Sequence, residues 1–80
     1  MMNFPQEHYI ELKGLSPNIV GRITITEHSG KFNAEIDLVL QESGKIYQHV
    51  STLYSQEDPR ESLDLAVHYL KKYLDKFRNA

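Results

Sequence analysis

The stretch Ser55-Gln56-Glu57-Asp58-Pro59-Arg60-Glu61-Ser62-Leu63 decides the fold, because the apolar period changes there from about 2 to about 3.6 residues. Asp58 is suited to cap a helix, Pro59 to fill its first position and Glu61 to complete a capping box. Downstream, Leu63, Ala66, Val67, Leu70, Leu74 and Phe77 fall on one face. Lys71, Lys72, Lys76 and Arg78 crowd the last turns, where positive charge complements the helix dipole. The pattern predicts one helix over about 59–78.

Upstream the alternation is that of half-buried strands. Phe32, Ala34, Ile36, Leu38 and Leu40 alternate with Asn33, Glu35 and Asp37, predicting a strand over about 31–41. Ile19, Ile23 and Ile25 share one parity and end at Ser29-Gly30, a tight hairpin turn, so a strand is expected over about 18–28. His8, Ile10 and Leu12 mark a first strand over about 7–13, closed by Gly14-Leu15-Ser16-Pro17-Asn18. Glu42-Ser43-Gly44 turns the third strand into a fourth over about 45–54, with Gly44 in the left-handed region of a three-residue loop. Ser29-Gly30-Lys31 and Ser43-Gly44-Lys45 thus read as two similar turns, since a phosphate-binding loop needs two glycines flanking a longer segment. The expected architecture is a single α+β domain, a four-stranded antiparallel meander with one C-terminal helix on one face (ββββα).

The chain has 80 residues, 40% of them hydrophobic and 25% charged, which is the composition of a globular domain and not of a disordered tail. A domain this short buries only about 60% of its unfolded surface. Small chains gain stability from disulfides, a metal or self-association, and the absence of cysteine removes the first and every thiolate zinc site. A net charge of -2 creates no field that would draw phosphate backbones or anionic lipid. No basic leader precedes an apolar core and no run approaches 18 apolar residues, so a cytoplasmic protein without a membrane segment is expected.

Pairing follows from parity, because a one-residue slip turns every side chain over. The Ser29-Gly30 turn sets Ile25 opposite Ala34 and Ile23 opposite Ile36. A three-residue loop at 42–44 sends Ile46, Val50 and Tyr54 inward and sets His49 opposite Asp37. A row Tyr9, Arg22, Asp37, His49 then crosses the outer face. It reads either as a site, with a carboxylate between a guanidinium and an imidazole, or as a ladder of cross-strand pairs worth about 0.2 to 1 kcal/mol each. His8, His28, His49 and His68 are scattered and form no close pair, so no metal and no cofactor is expected, and nothing resembles a nucleophile with its base. Tyr9, Tyr47, Arg22, Lys13 and Lys45 on the outer face could stack or pair with nucleic acid, but Glu7, Glu11, Glu35 and Asp37 lie among them. That leaves Lys71, Lys72, Lys76 and Arg78 as the basic patch for RNA. Leu65, Tyr69 and Tyr73 recur every four residues beside the core stripe and make the helix's apolar surface wider than one sheet covers. They read as a partner-binding stripe or as side chains that merely flank the core.

The segment Ala34-Glu35-Ile36-Asp37-Leu38, the hairpin ending near His49, and Glu61-Ser62-Leu63-Asp64-Leu65-Ala66-Val67 with Leu70, Leu74 and Lys76 resemble the C-terminal half of ribosome hibernation-promoting factors. The resemblance implies small-subunit contacts at Lys71, Lys72, Lys76 and Arg78. It departs from the family in net charge and in leaving room only for a turn between the first two strands. The expected function is a non-enzymatic, self-associating protein-interaction module, a homodimer or the ligand of another protein. The alternative is an RNA- or ribosome-associated factor using the basic helix end.

Overall fold

The computed structural model describes residues 4–11 and 16–78, with side chains to residue 76. Strands β1 (Gln6–Ile10), β2 (Ile19–His28), β3 (Lys31–Leu40) and β4 (Ile46–Gln56) form one antiparallel sheet in the order β1-β2-β3-β4, and helix α1 (Pro59–Arg78) comes after them. The ββββα meander is therefore the fold. β1 stops at Ile10, and the Leu12–Leu15 part of the expected strand and turn lies outside the described residues.

Ser29 and Gly30 both take positive φ, 53° and 77°, which is the two-residue hairpin geometry whose twist matches that of the strands. Ile25 pairs with Ala34 and Ile23 with Ile36. The helix starts where its cap dictates: the Arg60 amide donates to Asp58 Oδ1 at 3.0 Å and the Ser62 amide to the Asp58 carbonyl at 2.9 Å. α1 packs over β2, β3 and β4. Ile23, Ile25, Ala34, Ile36, Leu38, Ala66 and Leu70 form the core, with Leu53, Leu63, Val67 and Leu74 against it. Ser62 and Ala66, small residues one turn apart, are fully buried and let the helix lie close to the sheet. The Lys31 ammonium donates to Glu57, tying the tip of the β2–β3 hairpin to the β4–α1 connection. That hydrogen bond, with the charge attraction behind it, holds the Glu57 carboxyl below its ordinary range.

The third hairpin departs from expectation. The Leu40 amide donates to the Lys45 carbonyl and the Gly44 amide to the Leu40 carbonyl, so the loop holds residues 41–44, one more than anticipated, with Gly44 at φ 72°. Val39 therefore pairs with Ile46. The ladder then shifts between Leu38 and Val39, between Ile36 and Asp37, and between Phe32 and Ala34, as β-bulges do when two residues oppose one. Each shift reverses the parity of the residues beyond it. Ile46 and Tyr54, expected inside, are 51% and 68% exposed, and Leu53 packs on the core in their place.

Candidate functional site

The polar row assembles from all four strands. Tyr9 pairs with Arg22, Arg22 with Asp37, and Asp37 with His49. The first two pairings come from regular ladders, while the third is reached only through the extra residue at the first bulge. Asp37 is fully buried although its face carries no helix. Val39, two residues on, is also fully buried between its cross-strand partners Val20 and Ile46. The outer face thus has an apolar row beside the polar one. The bulge accounts for it, because it turns Ile46 outward onto Val39.

Two basic side chains meet the buried carboxylate. His49 Nδ1–H donates to Asp37 Oδ1 at 2.7 Å, and Arg22 Nη2 lies 3.8 Å from Asp37 Oδ2. A carboxylate only accepts, so the contact fixes the histidine proton on Nδ1. Arg22 Nη1 also lies 3.8 Å from Glu7 Oε2 and donates to the Gly44 carbonyl at 3.4 Å, and the Tyr9 hydroxyl donates to Glu7 at 3.0 Å. The Arg22 side chain is 18% exposed and that of His49 51%, so both basic side chains reach water while the Asp37 carboxylate does not.

His49 Nε2 points toward Thr52 Oγ1 at 3.4 Å. An imidazole held at Nδ1 with Nε2 open to solvent is a competent proton acceptor. Catalysis also requires a concave, water-excluding site beside it. Two clefts of the molecule, lined by Glu11, Ser16, Pro17 and Ile19 and by Tyr9, Ile10, Val20 and Gln41, include neither His49 nor Thr52.

Glu35 is the site residue that sequence reasoning misses. Glu35, Asp37 and His49 offer ligand atoms within 4.8 Å of one another, a set drawn from two strands that linear spacing of the histidines does not reveal. A divalent cation there would have to displace the His49 proton from Asp37 and lie close to the Arg22 guanidinium. Asp37 Oδ2 and Arg22 Nε are buried without a hydrogen-bond partner, so the second carboxylate oxygen is balanced by the guanidinium charge at 3.8 Å alone.

On the helix, Leu65 and Tyr69 are each 42% exposed. Tyr73 lies partly buried against the core, and its hydroxyl accepts from Gln48 Nε2 of β4 at 2.5 Å. The stripe therefore flanks the helix on the β4 side, with Tyr73 turned in and Leu65 and Tyr69 in solvent. Lys71, Lys72 and Lys76 are exposed, and the Arg78 side chain and Lys13 lie outside the described residues. No helix among the described residues is long and apolar enough to cross a membrane. No family model, curated protein or solved structure matches the chain.

Proposed function

We propose that the chain is a small non-enzymatic interaction module that self-associates as a homodimer on the side of the molecule formed by the β4 edge and the adjoining flank of α1. The observation that carries this reading is the contrast between the two sheet edges. β1 is a five-residue strand with Pro5 before it, Glu7 within it and Glu11 after it, the features that keep an edge from pairing with another chain. β4 runs for 11 residues, Ile-Tyr-Gln-His-Val-Ser-Thr-Leu-Tyr-Ser-Gln, with no Lys, Arg, Asp, Glu or Pro inside it; Lys45 and Glu57 flank its ends, and along its length only its bulges interrupt the edge. Ile46, Tyr47 and Tyr54 are exposed on this strand, and the Gln48–Tyr73 bond sets the helix flank that carries exposed Leu65 and Tyr69 beside it. An edge without charged gatekeepers beside uncovered aromatic surface is the composition of an interface. A second copy covers the same residues twice about a two-fold axis.

Sedimentation equilibrium tests the proposal. The wild-type chain should be dimeric in the micromolar range, and a monomer at about 100 μM would refute it. Tyr54→Lys, on the β4 side, should weaken the dimer, while Tyr9→Lys, on β1 at the opposite edge and also largely exposed, should leave it intact. The opposite ranking would move the interface to the other side of the sheet.

A further inference from the structure

The flank of α1 that carries Leu65 and Tyr69 has an order of charge found nowhere else on the helix. At about 100° per residue, Asp58, Glu61, Leu65, Tyr69, Lys72 and Lys76 fall within about 80° of arc. All six are exposed. Along the axis they read acid, acid, apolar, apolar, base, base. The helix dipole favours acids at the start and bases at the end on every side. The solvent face does not obey that rule, because it has Arg60 in the first turn and Asp75 near the end. The dipole therefore does not explain why one flank alone is sorted, or why its middle is apolar.

Reversed about the level of Val67, the order is complementary to itself. Leu65 and Tyr69 lie two residues either side of it, Asp58 and Lys76 nine residues either side, and Glu61 and Lys72 six and five. We infer that this flank binds the same flank of a second copy, with the two helices antiparallel about a two-fold axis that passes between Leu65 and Tyr69, level with Val67 along the helix. Leu65 then meets the partner's Tyr69, Glu61 the partner's Lys72 and Asp58 the partner's Lys76, and each contact occurs twice. A parallel arrangement would instead set like charges against each other.

The strand beneath is centred on the same axis. From Pro59, Val67 lies about 12 Å along the helix. The same distance back from Gln56 along β4 reaches Thr52, next to the strand's midpoint at Ser51, at about 3.3 Å per residue. The short Glu57-Asp58 connection and the bond from Gln48, early in β4, to Tyr73, late in α1, show that the two elements run in opposite directions, so antiparallel helices place the two β4 edges antiparallel as well. One axis relates both elements.

This inference rests on the homodimer reading, and charge reversal separates the two. Glu61→Lys and Lys72→Glu should each weaken self-association about three- to thirtyfold, since two symmetric ion pairs become two repulsions. Mixed in equal amounts, the two variants should recover a dissociation constant close to that of the wild type, because in the heterodimer Lys at 61 faces Glu at 72 and Glu61 faces Lys72. The differences should collapse at about 1 M salt. Tyr69→Glu, which sets a carboxylate against the partner's Leu65, should weaken the dimer whatever the charge pairs do. A wild-type monomer would overturn the homodimer reading and this one with it. A wild-type dimer indifferent to both reversals, or reversals not rescued by mixing, would overturn the antiparallel helix contact alone.

Discussion

Removing Arg22 should damage the protein more than removing Asp37, although the two belong to one ion pair. The reason is which charge stays buried. In Arg22→Ala the Asp37 carboxylate, fully buried in the intact protein, loses the guanidinium and retains only His49. Breaking a buried pair in this way costs about 3 to 5 kcal/mol. Here the pair is 3.8 Å apart, Arg22 is 18% exposed and the His49 hydrogen bond survives, so about 2 kcal/mol is the reasoned loss. For a chain of 80 residues, total stability is of the order of 4 to 12 kcal/mol. In Asp37→Ala, by contrast, Arg22 keeps Glu7 and the Gly44 carbonyl, and His49 turns to water. About 1 kcal/mol should be lost. The double variant removes the stranded anion and should be less damaged than Arg22→Ala alone, at about 1 to 1.5 kcal/mol. Urea unfolding of all four proteins at one protein concentration measures the cycle, the fixed concentration keeping any self-association constant across the set. If Arg22→Ala is no more damaging than Asp37→Ala, or the double loss equals the sum of the single losses, the buried anion does not depend on Arg22 and the account is wrong.

The start of α1 and the hairpin tip give two further expected outcomes. Asp58→Ala should lower stability by about 0.5 to 2 kcal/mol through loss of the bond to the Arg60 amide, read as a lower denaturation midpoint; an unchanged midpoint would mean that this cap contributes nothing. The Lys31 contact depresses the Glu57 pKa, so its stabilisation is present above the ordinary carboxylate range and is lost as pH falls through the depressed value. Glu57→Gln should therefore be less stable than wild type near neutral pH, and the gap should close once the pH has fallen below the depressed Glu57 pKa and should shrink in high salt; a gap that does not narrow as the pH falls would contradict the linkage.

The legible parts of the fold are those where one local rule acts alone. Asp58-Pro59 starts the helix because capping and ring geometry agree within a few residues. Ser29-Gly30 fixes the β2–β3 register because a two-residue turn leaves no freedom in pairing. The faces of β4 are not legible in the same way, because bulges are set by the ladder as a whole. The Ser55 amide bonds to the Asn33 side chain and Ser55 takes a positive φ of 59°, an irregularity that neither residue announces by type. An alternation rule carried through such a strand errs by one parity at each bulge. This is why alternation puts Ile46 and Tyr54 on the wrong face while His49, after one bulge and before the next, is correctly set opposite Asp37.

The same bulges govern what can be foreseen of the functional surfaces. By turning Ile46 and Tyr54 out of the core, they leave β4 an uncharged edge with large apolar side chains in solvent, a property invisible to any reading that counts those residues as interior. The core gains Leu53 from that strand and keeps Tyr73 through Gln48, so the helix is held to β4 on one flank and the remaining apolar residues of that flank, Leu65 and Tyr69, stay in solvent. In a domain that buries so small a fraction of its surface, exposed aromatic area and an unprotected strand edge both act against a solitary monomer. The edge of β4 adjoins, through Gln48 and Tyr73, a flank whose charges are ordered to match themselves reversed, and that adjacency ties the irregular strand to the proposed partner.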